Sequence, residues 1–158
     1  MGALVATEDL LIRIGLCALF GGIVGLEREL SEHHAGFRTH VLVALGAGLF
    51  TISGIYAMDA FAADSGVRVD PTRIAAQVVT GIGFLGAGTI IREGMTVRGL
   101  TTAASLWVTA AIGTAVGLGA LVAGAVTTVM TLVALVLLKW LERAIIKRTP
   151  LTEPEPDL

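Results

Sequence analysis

Between Arg73 and Gly113 the chain threads Gly81, Gly83, Gly86 and Gly88 through one hydrophobic run, then passes a short charged loop into a second apolar segment. Glycine weakens a soluble helix by about 1 kcal/mol relative to alanine, so such a run makes a poor soluble core. In a bilayer the same residues let neighbouring helices approach closely. Composition agrees: 54% of the 158 residues are hydrophobic and 15% charged, against about 25% charged in an average soluble domain. The mean hydropathy is +0.83, and the apolar residues fall in long runs rather than on alternating faces. These features predict an all-α, polytopic membrane helix bundle.

A helix needs about 20 mostly apolar residues to cross ~30 Å of hydrocarbon. Five segments read as spans: residues 10–26, 41–61, 74–91, 103–118 and 120–138. Only Gly119 divides the last two, which predicts a tight helical hairpin. Five spans put the termini on opposite sides. With the C-terminus inside, Arg28, Arg38, Arg92, Arg98, Lys139, Arg143, Lys147 and Arg148 are cytoplasmic, and Arg13, Arg68 and Arg73 are external. That asymmetry satisfies the positive-inside rule, so the N-terminus is expected outside. No cleavable signal is expected, because Glu8, Asp9 and Arg13 precede the first apolar core. Residues 1–148 read as one transmembrane domain, and the acidic, proline-rich residues 149–158 as a disordered tail.

Local signals mark the ends of these helices. Asp70-Pro71 predicts an N-cap and first helical position for the third span, with Gly94 closing it. Thr101 or Thr102 is placed to cap the fourth. Arg13 is expected to snorkel outward. Small residues four apart (Gly21 with Gly25, Ala44 with Gly48, Gly113 with Gly117, Ala120 with Gly124) predict close helix packing, within one chain or between chains. Gly81-Ile82-Gly83-Phe84-Leu85-Gly86 formally matches GxGxxG. A dinucleotide site needs that pattern between a strand and a helix, with an acidic residue about 20 positions on; Thr101 stands there, and small-residue packing explains the glycines better.

Polar groups at membrane depth are expensive unless paired or facing water. Gln77 reads either as an interhelical hydrogen bond or as part of a site, and Asp59 as a cation ligand or a partner of Arg73. Charges gather at three cytoplasmic helix ends: Glu27, Arg28 and Glu29; Arg38, Thr39 and His40; Arg92, Glu93 and Arg98. They form either a polar mouth or a solvated fringe. His33, His34 and His40 lack metal-ligand spacing, and a histidine pair on a polar loop reads as solvated. Magnesium prefers oxygen ligands and keeps much of its water, so no all-protein cage is expected. Single Cys17 excludes an internal disulfide and reads as a buried, inert thiol. A net charge of −2 gives no reason to expect nucleic acid, and no nucleophile–base arrangement suggests an enzyme.

Three stretches together resemble the MgtC/SapB family of bacterial inner-membrane proteins. They are Gly25-Leu26-Glu27-Arg28 with Ala35-Gly36-Phe37-Arg38-Thr39; Arg73-Ile74-Ala75-Ala76-Gln77 through Gly88; and Arg92-Glu93-Gly94-Met95 with Val97-Arg98-Gly99-Leu100-Thr101-Thr102-Ala103-Ala104 and Trp107. The resemblance runs in order over about residues 10–138. It implies a multi-pass inner-membrane protein linked to growth under magnesium limitation and, in pathogens, to survival inside host cells. Longer members carry a soluble, ACT-like C-terminal domain, so this chain resembles a short, SapB-like form. Some members have Asn where this chain has Thr96 and Thr101. The first functional expectation is a non-enzymatic modulator of membrane partners, forming homo-oligomers or binding another membrane protein. The alternative is a transporter or channel for Mg2+ or another cation, with Mg2+ as ligand or substrate and no cofactor. Candidate polar or partner-binding residues are Glu27, Arg28, Arg38, Thr39, Asp59, Gln77, Arg92, Glu93, Arg98 and Thr101. Candidate packing residues are Gly21, Gly25, Gly81, Gly83, Gly86, Gly88, Gly113 and Gly117.

Overall fold

A computed structural model describes residues 7–62, 70 and 72–141. The chain forms α1 (Thr7–Leu30), α2 (Phe37–Ala62), α3 (Thr72–Gly88), strands β1 (Ile91–Glu93) and β2 (Thr96–Arg98), α4 (Leu100–Gly117) and α5 (Leu121–Val133). α5 runs on through a wider π-helical stretch, Ala134–Leu138. Among the described residues, four helices are long and apolar enough to cross a membrane: Thr7–Leu30, Phe37–Ala60, Leu100–Gly117 and Leu121–Leu141. At 17 residues, α3 spans about 26 Å, a little short of ~30 Å of hydrocarbon.

The helix ends follow from local chemistry. Glu8 and Asp9 lie in the first turn of α1 and Arg28 in its last, each matching the local sign of the helix dipole. Asp70 opens α3 as expected: its Oδ1 accepts from the Thr72 backbone N–H at 2.9 Å and from Thr72 Oγ1 at 2.7 Å. These bonds favour the charged carboxylate and hold Asp70 below its usual pKa. Glu29 Oε2 accepts the Phe37 N–H at 3.0 Å and so caps α2 from the preceding helix. α4 ends at Gly119, whose φ is +86°. The Gly119 N–H donates to Val116 and the Ala120 N–H to Ala115, a Schellman closure that turns the chain directly into α5.

Two expectations about ends are corrected. The charged loop is a β-hairpin, with Glu93 opposite Thr96 and Ile91 opposite Arg98. Gly94 (φ +61°) sits in its two-residue turn, the place where a type II′ turn needs glycine, and does not close α3. That helix stops at Gly88, where Thr89 and Ile90 bond back to Gly86 and Ala87, so Ile91 belongs to a strand. Nor does a threonine cap α4. Gly99 (φ +88°) occupies the cap position without a side-chain bond. The proposed Pro71 helix start, Asp64, Arg68, Arg143, Lys147, Arg148 and the tail lie outside the described residues.

α1, α2 and α4 form the core, α5 packs on α4 and α1, and α3 lies mainly on α4. α4 is central, burying Ser105, Leu106, Thr109, Ile112, Gly113 and Val116. Its Thr109 hydroxyl donates to the Ser105 carbonyl one turn back, as Thr51, Thr128 and Thr131 do in their own helices. These four threonine hydroxyls thereby satisfy themselves without crossing to a neighbour.

Candidate functional site

The tightest contacts are made by glycine. A Cβ on Gly113 would lie 2.3 Å from the Ala44 carbonyl oxygen, and on Gly117 2.7 Å from that of Gly48. On Gly21 it would lie 2.7 Å from both Ala44 Cβ and the His40 carbonyl, and on Gly25 2.8 Å from Phe37 Cα. These glycines bring α1, α2 and α4 into backbone contact, where dispersion and close packing replace the hydrophobic effect. Buried Cys17 lies in the same seam, its Sγ 3.7 Å from the Gly113 carbonyl. Gly81, Gly83 and Gly88 of α3 differ: a Cβ at any of them would meet nothing within 4 Å. Gly86 alone of that series faces a helix, with Ala103 at 3.6 Å. Phe84 is 81% exposed on the same helix, and Leu85 is exposed beside it.

Two clefts flank the core. One, about 730 Å³, separates α2 from α3 and is lined by Arg38, Thr39, Gly46, Phe50, Gln77 and Gly81 among others. Arg38 and Thr39 come from the start of α2 and Gln77 from the first half of α3. Gln77 is exposed and forms no interhelical hydrogen bond among the described residues. The other cleft, about 680 Å³, lies between the C-terminal end of α1, the first half of α4 and the far half of α5. Arg28, His33, Thr101, Ser105, Thr127 and Lys139 supply its polar groups, and Val126, Met130, Ala134, Leu135 and Leu138 much of its apolar wall.

Arg28 is the unusual member of this second cleft. It is 1% exposed. Glu27 Oε2 accepts its Nε–H at 2.5 Å, and Glu27 Oε1 accepts from Ser31 Oγ at 2.9 Å. Nη1 is buried with no hydrogen-bond partner among the described residues, as is His33 Nδ1. The pKa of His33 is lowered, first by burial and then by the charges on Arg28 and Lys139. His33 is therefore part of a cleft wall, where the sequence suggested a solvated loop. His40, at a helix end in the sequence, is wholly buried. Its Nδ1 donates to the Gly36 carbonyl at 2.9 Å, and Nε2 lies 3.1 Å from Ser105 Oγ. A carbonyl only accepts, so Nδ1 carries the proton; in the neutral ring Nε2 and the Thr102 carbonyl (2.8 Å) compete for the Ser105 hydroxyl proton.

The structure brings only some of the candidate residues together. Glu27 and Arg28 form an ion pair, and Thr101 shares their side of the bundle. Arg38, Thr39 and Gln77 share the α2–α3 cleft. Arg92, Glu93 and Arg98 lie exposed on the hairpin, where Arg92 Nε donates to the Gly94 carbonyl at 3.1 Å. No ion pair joins Asp59 to Arg73 among the described residues. Arg13 does not snorkel outward: it bonds Asp9 Oδ2 at 2.6 Å and donates from Nη1 to the Gly117 carbonyl at 2.8 Å. The C-terminal carbonyls of α4 draw the cation inward. Sequence reasoning missed Ser105 and Lys139 as site residues; a hydroxyl stripe at Thr102, Ser105 and Thr109, spaced along one face of α4, was the available signal.

A family model described as the MgtC family matches residues 14–144. The chain belongs to the MgtC family. It is similar to YhiD of Escherichia coli (strain K12), by its name a candidate magnesium transporter, with 46% identity over 82% of this chain and 60% of that protein. It is similar to the MgtC proteins of Salmonella typhimurium (48% identity) and Brucella abortus (46%), in each case over 77% of this chain and 48% of the relative. The chain thus spans about half to three-fifths of the length of these relatives. No solved structure matches it. Family membership and the four long apolar helices make it a membrane protein. The family match covers both the glycine seam and the Arg28 end of α1.

Proposed function

We propose that this chain is a five-span protein of the bacterial inner membrane, N-terminus outside and C-terminus cytoplasmic, that modulates partner membrane proteins during adaptation to low magnesium or a related ionic stress. It acts without catalysis and without a cofactor. In this reading α3 is the fifth span. The observation that carries the proposal is the open surface of α3, where Gly81, Gly83 and Gly88 meet nothing among the described residues. Helix surfaces of this kind admit a second helix at close range, whereas Gly21 and Gly25 of α1 and Gly113 and Gly117 of α4 are already used internally. The magnesium connection rests on the family and on the name of the YhiD relative.

Cation transport, the alternative, needs a continuous polar path. Between α1, α2 and α4 the interior is filled by Cys17, Ala44, Leu106, Ile112 and Val116, all buried, and the threonine hydroxyls there bond to their own helices. Among the described residues, charged groups stand only at the ends of the bundle. This favours modulation.

Site-specific photo-crosslinking from Phe84 in native membranes tests the reading. The expected product is a specific membrane protein other than the chain itself, lost in Gly83→Leu at unchanged protein level. Capture of its own copies alone would overturn the partner model. In parallel, purified protein in liposomes is expected to move no Mg2+; a flux abolished by Glu27→Gln or Asp59→Asn would decide for transport.

A further inference from the structure

The cleft between α1, α4 and α5 has a polar end and an apolar length. At the polar end Arg28, His33, Lys139 and Thr101 come from four different segments. Arg28 donates from Nε to Glu27, and its Nη1 is buried with no hydrogen-bond partner among the described residues. A guanidinium is a rigid fork that matches two oxygens of a carboxylate or phosphate. Burying it with Nη1 unused is costly, because a buried donor without an acceptor loses its hydration with no replacement. Glu27 balances one of the two fixed positive charges, so Arg28 and Lys139 together leave a net positive end. His33 adds a second orphaned buried nitrogen to the same wall.

Away from that end, the cleft follows α5 along Leu138, Leu135, Ala134, Met130 and Val126, and α4 along Ala104 and Val108. Met130, Val126 and Leu138 are more than half exposed, so this wall faces the bilayer hydrocarbon rather than the interior of the protein. The π-helical stretch Ala134–Leu138 forms part of it, and such irregular turns concentrate at functional sites. The volume, about 680 Å³, falls within the ordinary range of small-molecule sites.

We propose that this cleft binds an anionic phospholipid, its headgroup phosphate on the Arg28 fork and Lys139, and an acyl chain along α5. A free anion would satisfy Arg28 equally but would leave the apolar wall without a purpose. The arrangement of basic groups between helices at the cytoplasmic end is the physical pattern that selects anionic headgroups. The proposal is independent of the α3 partner surface: it concerns the opposite flank of the core, and neither depends on the other.

The test uses purified, delipidated protein in neutral detergent, followed by native mass spectrometry and thermal unfolding with added phosphatidylglycerol, phosphatidylcholine or inorganic phosphate. Phosphatidylglycerol should bind at least about tenfold more tightly than phosphatidylcholine and raise the melting temperature. Removing one cation should cut that preference about fivefold. Arg28→Gln removes the fork but also strands Glu27 and could fail to fold, so Lys139→Gln and Ala104→Trp serve beside it. The first should weaken the preference, and the second should fill the cleft and abolish lipid binding without altering charge. Equal binding of the two lipids would overturn the proposal, as would unchanged binding in both Lys139→Gln and Ala104→Trp. Stabilisation by inorganic phosphate matching that of the lipid would also overturn it, leaving a free-anion site.

Discussion

Gly81, Gly83 and Gly88 of α3 and the α1 and α4 glycines Gly21, Gly25, Gly113 and Gly117 look alike in sequence, yet they do opposite things. Gly21, Gly25, Gly113 and Gly117 are contact points, where an added methyl group would meet backbone or side-chain atoms at 2.3–2.9 Å. Gly81, Gly83 and Gly88 border open space. A small-residue pattern therefore tells where helices can approach closely, and only the packing tells whether the approach is made within the chain. The first group closes the bundle. The second leaves a surface.

The largest effect expected from this difference is Gly113→Leu. Its side chain cannot fit against the Ala44 backbone, and overpacking of this kind costs about 3 kcal/mol or more; loss of monodisperse protein on gel filtration is the readout. Gly83→Leu should leave the stability within about 0.5 kcal/mol of the parent, as for an exposed site. If the two variants were equally destabilised, the distinction between seam and surface would be lost. Next comes His40→Ala, which removes a wholly buried ring together with its bonds to Ser105 and the Gly36 carbonyl and is expected to cost about 2 kcal/mol. Ser105→Ala should cost less, because the ring keeps its bond to Gly36. Arg13→Met removes the bond to the last turn of α4 and should cost about 1 kcal/mol, seen as a lower unfolding temperature with the fold intact.

The smallest effect concerns pH. His33 has a folded pKa below its unfolded value, so the unfolded chain takes up its proton first as pH falls. Stability should therefore be full above about pH 6.5 and decline as pH drops below it. Arg28 and Lys139 sharpen the decline and Glu27 opposes it. His33→Gln should flatten this part of the curve in a pH series of melting temperatures.

Much of the fold was legible because bilayer helices are written in composition. The four long apolar helices, the Gly119 hairpin and the Asp70 cap follow from hydropathy and from the local φ and hydrogen-bond preferences of single residues. The β-hairpin was missed because Arg92-Glu93-Gly94-Met95-Thr96 is too short for a periodic signal, so Gly94 read equally well as a helix end. The site was less legible. Arg28 and Glu27 stood out as charges beside an apolar span, but His33, Ser105 and Lys139 lie on three other segments, and nothing local connects them. Arg13 was misjudged for the same reason, since the carbonyl that attracts it is 104 residues away.

The sequence by itself determined that this chain is helical, membrane-embedded and of the MgtC family, because those properties rest on apolar runs, end signals and matching motifs. Only the tertiary structure decided which glycines are spent inside the bundle and which face outward, and that a buried guanidinium ends in a half-apolar cleft. Both depend on the rotation of each helix about its own axis, which contacts between distant segments fix.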